Sequence, residues 1–213
     1  MIKAIIFDLG RVIVPFDFRR GYSRLEALCG IPAADIPKRI GTTNLVQRFE
    51  CGQIEPEDFV REIGKQLGMT IGHAEFSEIW NSIFLPETLI HEDLLRALAE
   101  RYRLVLLSNT NHIHFEGIRV NYPLLKHFYA YILSYEVGVM KPGPEIYRRA
   151  IAAAGCRPEE CFFTDDILEY VEGARREGID AVQFQSSAQI EDELRRRGVS
   201  WELVQESAMP EAG

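Results

Sequence analysis

Short apolar runs recur along the chain and are separated by stretches in which apolar residues follow helical spacing. The first run covers residues 2–7 and stops at Asp8. Runs without strict alternation of apolar and polar residues are typical of strands that are buried on both faces. Further runs of this kind occupy residues 103–107, 130–133, 161–163 and 181–184. Strands that alternate with helices predict an α/β core with a Rossmann-like parallel sheet.

The segment 16–86 interrupts this rhythm. It shows no convincing strand pattern, and it predicts amphipathic helices over residues 18–29, 43–50, 56–67 and 73–84. A single crossover between two strands needs far fewer residues. We therefore predict a helical cap at 16–86, inserted into a core formed by residues 1–15 and 87–205. A tail at 206–213 is expected to fray.

Charge and composition narrow the class of protein. The 213 residues carry a formal net charge of −8, and the tight basic run Arg195–Arg197 lies at a predicted helix end, so we expect no nucleic-acid partner. The apolar run at the N-terminus is too short for a signal peptide or a membrane span. Four cysteines in no metal-binding or redox spacing fit a reducing compartment. We expect a soluble, cytoplasmic protein that does not bind membranes, and no protein partner is implied.

Polar and charged residues follow the predicted strands at the points where the strands end. In parallel α/β sheets, ligands bind at the carboxyl ends of the strands, so we expect these groups to meet at one edge. The four groups are Asp8-Leu9-Gly10, Ser108-Asn109-Thr110, Lys141 before Pro142, and Asp165-Asp166.

The residue types in these groups point to phosphate chemistry. Asp8, Asp165 and Asp166 would not all ionise at close range without compensating positive charge. Mg²⁺ supplies such charge and prefers oxygen ligands, and Lys141 adds a second cation. A phosphate would bind between them, with the Ser108 hydroxyl on another of its oxygens. A carboxylate can attack phosphorus to form an aspartyl phosphate, which water then hydrolyses.

Four motifs in this order resemble those of the haloacid dehalogenase-like (HAD) hydrolases. The resembling segments are Phe7-Asp8-Leu9-Gly10-Arg11-Val12-Ile13, Leu107-Ser108-Asn109-Thr110-Asn111, Lys141-Pro142, and Phe163-Thr164-Asp165-Asp166 with Gly173-Ala174. The segment 49–54 and Glu57-Asp58-Phe59 resemble the helical cap of a branch that includes bacterial glucose-1-phosphatase. The same branch includes the N-terminal phosphatase domain of soluble epoxide hydrolase.

The resemblance implies a role for each motif residue. It makes Asp8 the nucleophile and Lys141 the catalytic cation, and it lets Asn109 shape the leaving-group pocket. The implied phosphate site consists of Ser108, Asn109 and Lys141. The implied Mg²⁺ site consists of Asp8, the backbone carbonyl of Gly10, Asp166 and Asp165.

One departure concerns the general acid. Most phosphatases of the family carry a second Asp two residues after the nucleophile, whereas this chain has Gly10. Asp17 is one candidate for the missing group, with an alternative role as an N-cap of the first cap helix. His114 is another, with an ordinary loop position as its alternative.

Three functions remain open on the sequence. The first is hydrolysis of a small phosphorylated metabolite, with a sugar 1-phosphate as one candidate. The second is a catalytically weak or non-catalytic module that binds a phosphate ligand, because Gly10 replaces the acid. The third is 2-haloacid dehalogenation by Asp8, which needs no Mg²⁺ and would leave Asp165 and Asp166 without a purpose.

Overall fold

A five-stranded parallel sheet forms the centre of the protein. The computed structural model describes residues 1–201. Strands β1 to β5 are Ala4–Phe7, Arg103–Ser108, Ala130–Leu133, Cys161–Asp165 and Asp180–Gln183. They lie in the order β3-β2-β1-β4-β5, and every neighbouring pair is parallel. The predicted α/β class with a Rossmann-like parallel sheet is therefore confirmed, with β1 in the middle.

Helices surround this sheet and also fill the long segment between β1 and β2. Helices α1 to α11 are Phe18–Cys29, Ile36–Ile40, Leu45–Glu50, Pro56–Leu67, His73–Asn81, Glu92–Ala99, His112–Asn121, Ser134–Val137, Pro144–Ala154, Leu168–Arg176 and Ser187–Arg196. Two short 3₁₀ helices cover Pro123–His127 and Pro158–Glu160. Within residues 1–201, none of the helices has the length and apolar character needed to cross a membrane.

The side chains of β1 alternate between two hydrophobic clusters, one on each face of the sheet. Ile5 and Phe7 pack in the cluster that includes residues of α6, α7 and α11. Ala4 and Ile6 pack in the cluster that includes residues of α9 and α10. All four side chains are fully buried, which explains why the run contains no polar position. This burial on both faces holds the end of β1, and hence Asp8, in place.

Helices α1 to α5 share a third hydrophobic cluster with an aromatic centre. Phe49 stacks on Phe59 with 4.1 Å between the ring centroids, and Phe59 meets Trp80 edge to face at 5.7 Å. Ile113 of α7 belongs to the same cluster, so these helices pack against the sheet-bound part of the chain there. The division into a core at 1–15 and 87–205 and a cap at 16–86 stays a prediction, and the tail at 206–213 lies outside the described residues.

Two helix limits in this segment differ from the sequence prediction. Helix α3 begins at Leu45 because the Thr43 hydroxyl accepts a hydrogen bond from the Leu45 N–H, so residue 43 precedes the helix. Helix α5 ends at Asn81, where Ser82 bonds back to Ile79 through both its N–H and its hydroxyl. The short helix α2 was not predicted, since five residues show no clear period.

Two extended segments run side by side where the chain passes into and out of the helical segment. Phe16 and Phe84 form an antiparallel bridge. The Leu85 N–H donates to the Pro15 carbonyl at 2.9 Å. Both ends of the helical segment are thereby held near the carboxyl edge of the sheet.

Candidate active site

Asp8 follows β1 directly and lies between the ends of two neighbouring strands. In the sheet register, Phe7 pairs with Leu106 of β2 and with Thr164 of β4. The residue after each pairing position continues along the same edge, so Asp8 and Asp165 lie side by side. Asp8 is 7% exposed and Asp165 is 0% exposed. The sheet thus brings two acidic residues together out of contact with bulk water.

Lys141 joins these two carboxylates. Its Nζ lies 2.6 Å from Asp8 Oδ1 and 2.6 Å from Asp165 Oδ2, and it donates to the Leu107 carbonyl at 3.1 Å. Lys141 itself is buried. Burial lowers its pKa, but the charges of Asp8 and Asp165 outweigh that effect and raise the pKa above the ordinary lysine value. Lys141 therefore carries a positive charge in this cluster.

One lysine does not balance the acidic charge of the site. Carboxylate oxygens of Asp8, Asp165 and Asp166 all lie within 4.8 Å of one another. Burial raises the pKa of Asp8, and Asp165 adds to the rise while Lys141 opposes it. Burial and Asp165 also raise the pKa of Asp166. A divalent cation among these oxygens would stabilise all three ionised carboxylates.

The oxygen donors present fit Mg²⁺. Both Asp165 oxygens are engaged, one with Lys141 and the other with the Ile167 N–H at 2.9 Å. In the described chain no other residue donates a hydrogen bond to the Asp166 carboxylate or to the Gly10 carbonyl. Mg²⁺ takes oxygen ligands together with water. Asp8, Gly10 and Asp166 would hold the ion, and Asp165 would hold Lys141 beside it.

Ser108 and Asn109 differ in how far their side chains are already used. Ser108 ends β2, is 3% exposed, and makes no side-chain hydrogen bond within residues 1–201, so its hydroxyl is free for a phosphate oxygen. The Asn109 carboxamide accepts from the Lys141 N–H at 2.9 Å and donates to the Lys141 carbonyl at 3.0 Å. Its third contact, from Nδ2 to the Tyr170 hydroxyl, measures 3.4 Å. Asn109 thus positions the backbone of Lys141, a role the sequence did not indicate.

A tight turn follows Asp8, and the Phe16 ring lies close to the glycine at position 10. The Leu9 carbonyl accepts two backbone hydrogen bonds, and Arg11 adopts a φ of 57°, which is uncommon for a residue with a side chain. A Cβ on Gly10 would lie 2.9 Å from Cε1 of Phe16. An acidic side chain at position 10 would therefore require the Phe16 ring to move.

Asp17 lies at the start of α1 and is bound to Arg19. Its carboxylate accepts the Arg19 N–H at 3.0 Å, as an N-cap, and forms an ion pair with the guanidinium at 2.9 Å. The hydrogen bonds from Arg19 lower the pKa of Asp17. The structure does not bring Asp17 into the cluster of carboxylates around Lys141.

His114 lies in α7 with both ring nitrogens in contact with other residues. Nδ1 lies 3.1 Å from the Asn111 amide nitrogen, and Nε2 lies 3.2 Å from the Trp80 carbonyl. Asn111 Oδ1 already accepts the His114 N–H, so the amide NH₂ donates to Nδ1 and Nε2–H donates to Trp80. Burial lowers the pKa of His114 to about 4. The imidazole is neutral and links α7 to α5.

A cavity of about 190 Å³ opens beside the cluster and extends between α7 and the helices of the predicted cap. Gly10, Ser108 and Asn109 form its edge at the sheet. The rest of the lining is largely apolar and includes Phe16, Phe18, Tyr22, Ile40, Val46, Trp80, Ile83, Phe84 and Ile118. Glu50 is the acidic residue of this lining. Sequence reasoning missed Glu50, and its only signal was its position beside Phe49 in a cap segment used for the resemblance.

Comparison with known proteins agrees with this geometry. The family model for haloacid dehalogenase-like hydrolases matches residues 2–178. A D-ribitol-5-phosphate phosphatase of Bacteroides thetaiotaomicron is 29% identical over 91% of this chain and 97% of its own. A glyceraldehyde 3-phosphate phosphatase of Methanopyrus kandleri is 36% identical over 86% of this chain and 84% of its own.

One solved structure resembles this chain in both fold and sequence. It is a HAD family enzyme of Bacteroides thetaiotaomicron in complex with magnesium and inorganic phosphate. The TM-score is 0.79 at 29% identity, over 87% of this chain and 96% of the other. The match of the family model covers β1 to β4, the cluster around Lys141 and the cavity. This chain is a hydrolase and belongs to the haloacid dehalogenase-like family.

Proposed function

We propose that this enzyme is a Mg²⁺-dependent phosphatase that hydrolyses a small phosphorylated metabolite through an aspartyl phosphate on Asp8. The observation that carries the proposal is the buried cluster in which Lys141 lies 2.6 Å from both Asp8 and Asp165, with Asp166 close by. Relatives named as phosphatases, and a related enzyme in complex with magnesium and phosphate, support it.

Each residue of the cluster has a chemical task in this reaction. Asp8 attacks the phosphorus atom, the bond from phosphorus to the ester oxygen breaks, and that oxygen leaves as an alkoxide that takes a proton from water. Lys141 and the Ser108 hydroxyl bind oxygens of the transferring group, and Asn109 keeps the Lys141 backbone in place. Mg²⁺, when bound, neutralises the charge of the phosphate and the carboxylates. Water then attacks the phosphorus of the aspartyl phosphate, the bond from phosphorus to the Asp8 oxygen breaks, and inorganic phosphate and a proton are released.

The absence of an acid at position 10 bears on the choice of substrate. General acid or base help is worth about 10²- to 10⁴-fold in rate. Its loss falls hardest on esters of ordinary alcohols, whose leaving oxygen needs a proton. The anomeric oxygen of a sugar is more acidic than a simple alcohol. We therefore propose a preference for sugar 1-phosphates over 6-phosphates of the same sugar, with slow breakdown of the aspartyl phosphate.

A phosphatase panel with and without Mg²⁺ tests the proposal. We expect hydrolysis that needs Mg²⁺, falls at least about 10³-fold in Asp8→Asn, and is unchanged in the surface control Asp93→Asn. Better hydrolysis of glucose 6-phosphate than of glucose 1-phosphate would contradict the argument from leaving-group acidity.

The same panel separates the alternatives. Release of halide from a 2-haloacid without Mg²⁺, and no release of phosphate, would show a dehalogenase. Binding of Mg²⁺ and inorganic phosphate with no hydrolysis of any ester would show a non-catalytic module.

A further inference from the structure

The wall of the cavity beside Asp8 is built mainly from aromatic rings. Six rings follow one another in contact, with centroid distances between 4.9 and 6.4 Å. In order of contact they are Tyr22, Phe18, Phe16, Phe84, His114 and Trp80. All six residues line the cavity. The faces of aromatic rings carry negative potential and attract cations.

Glu50 supplies a carboxylate to this wall, and nothing in the described chain pairs with it. Within residues 1–201 its side chain makes no hydrogen bond and no ion pair, and the residues that line the cavity include no lysine or arginine. Burial raises the pKa of Glu50 to about 7, with no opposing contribution from a basic residue. A carboxylate in such surroundings is stabilised strongly by a cation that enters the cavity.

Glu50 also lies close to the catalytic cluster. Ser108 and Asn109 of the proposed phosphate site line the same cavity as Glu50, and the charge of Glu50 is among the causes that raise the pKa of Tyr170, after burial. The Tyr170 hydroxyl lies 3.4 Å from Asn109 Nδ2. The Asn109 side chain in turn bonds to the backbone N–H and carbonyl of Lys141. A leaving group attached to a phosphate at Ser108 and Lys141 would thus extend toward Glu50.

We propose that Glu50 binds a protonated amine on the leaving group, and that the substrates are phosphate monoesters of amino sugars or amino alcohols. The inference rests on the proposed phosphatase function and names the substrate class of that site. The shared chemistry is an ammonium group that pairs with Glu50 while the aromatic rings contact the rest of the molecule.

The other polar groups of the cavity favour an ammonium over an additional hydroxyl. The Asn109 carboxamide is used on Lys141, the Asn111 carboxamide on His114, and both His114 nitrogens are in contact with protein groups. In place of the ammonium, one further hydroxyl would find few free partners in this wall and would pair less strongly with the Glu50 carboxylate. A single ammonium needs one strong partner, which Glu50 provides.

The size of the cavity suits one ring or a short chain. A protein cavity of about 150 Å³ holds benzene, and this cavity measures about 190 Å³. A pyranose with one amino group and a two-carbon amino alcohol are both compatible with that volume.

Matched substrate pairs test the proposal. One pair is glucosamine 1-phosphate with glucose 1-phosphate, and the other is ethanolamine phosphate with propyl phosphate. In at least one pair, we expect kcat/KM of the wild type to be about 10- to 100-fold higher for the amine than for its analogue, mainly through a lower KM. The pair that shows the larger effect distinguishes an amino sugar from an amino alcohol.

Glu50→Gln provides the decisive variant. It is expected to abolish the preference for the amine while hydrolysis of p-nitrophenyl phosphate changes less than about 3-fold, which also shows that the variant folds. Glu75→Gln removes an exposed carboxylate from α5 and serves as the matched control, with the preference retained. Calorimetry with glucosamine and glucose in the presence of inorganic phosphate measures the same preference without turnover.

Each other outcome has a defined meaning. No preference for the amine in the wild type, by kinetics and by calorimetry, would overturn the inference while leaving the phosphatase proposal intact. An equal fall in kcat for all substrates in Glu50→Gln would overturn it as well and would assign Glu50 to proton transfer. A wild type that hydrolyses no ester with Mg²⁺ would refute the phosphatase proposal, and calorimetry would still decide whether Glu50 selects the amine.

Discussion

The cluster around Lys141 and the cavity beside it are two adjoining acidic regions that differ in how their charged groups are paired. In the cluster, one buried ammonium lies 2.6 Å from each of two carboxylates, and the Leu107 carbonyl accepts its third hydrogen bond. In the cavity, one carboxylate lies among aromatic and aliphatic side chains with no partner in the described chain. Under the two proposals, the cluster binds an anionic phosphate once Mg²⁺ is present, whereas the cavity binds a cationic group.

This difference indicates that the cluster carries out the reaction and that the cavity selects the substrate. The cluster is built on strand ends whose positions are determined by the sheet, so it can hold reacting atoms in place. The cavity is built on the first turn after β1 and on the packing of several helices. Substitutions in the cluster are therefore expected to affect all substrates, and substitutions in the cavity are expected to affect some substrates more than others.

The largest effect is expected from Lys141→Met. The variant leaves Asp8 and Asp165 together without their shared cation, so kcat/KM should fall at least about 10³-fold for every substrate. Loss of one partner from a buried ion pair should also lower the free energy of unfolding by about 3–5 kcal/mol. Lys65→Met, on the exposed face of α4, is the matched control. Activity within 10-fold of the wild type would break the distinction between the two regions.

Asp166→Asn is expected to act on metal binding. Calorimetric titration with Mg²⁺ should show affinity reduced by more than about 100-fold, because even loss of a group that only supports a ligand costs about 10- to 100-fold. Asp192→Asn removes an exposed carboxylate on α11 and should bind Mg²⁺ like the wild type. Unchanged affinity in Asp166→Asn would refute its assignment as a ligand.

Burial of His114 in the cavity wall makes the free energy of unfolding depend on pH. The folded protein keeps this imidazole neutral down to a pKa of about 4, whereas the unfolded chain takes up a proton near the ordinary value of 6.5. Stability is therefore lost as the pH falls through this window, by about 2 kcal/mol between pH 6.5 and pH 5 from this group.

Denaturant unfolding at a series of pH values measures that contribution. His114→Gln should show a shallower fall in stability between pH 6.5 and pH 5 than the wild type. The exposed His73→Gln on α5 should retain the wild-type slope. Equal slopes in His114→Gln and the wild type would show that the imidazole is not held neutral.

The smallest effect is expected at the boundary between the two regions. Gly10→Ala places a Cβ 2.9 Å from the Phe16 ring and should destabilise the protein by about 1–3 kcal/mol. In a Phe16→Ala background the same change should cost less than about 0.5 kcal/mol, because the opposing ring is gone. A double-mutant cycle measured by denaturant unfolding checks the coupling. Additive effects would mean that the Phe16 ring is not the reason why a side chain at position 10 destabilises the protein.

The two regions also differ in how well the sequence predicted them. The cluster could be located because apolar runs mark strands, and parallel strands end at one edge of the sheet. That reasoning alone brought Asp8, Ser108 and Asp165 together. It could not show that the Asn109 side chain bonds to both the N–H and the carbonyl of Lys141, because these residues lie in two loops far apart in sequence.

The cavity depended on packing that no period in the sequence describes. The periodicity predicted α1 and α4, but the position of Glu50 depends on how α3 packs against its neighbours. The clash between Phe16 and a side chain at position 10 likewise depends on the tight turn after β1. Both features arise from tertiary contacts, so only the folded structure shows them.

Rapid acid quench tests the central role of Asp8 most directly. The enzyme is mixed with Mg²⁺ and glucose 1-phosphate, quenched within the first turnover, digested and analysed by mass spectrometry. Slow breakdown of the intermediate predicts a peptide that carries one phosphoryl group on Asp8, and Asp8→Asn should yield none. Burst release of phosphate with no phosphoryl group on Asp8, or with the phosphoryl group on Ser108, would contradict the mechanism.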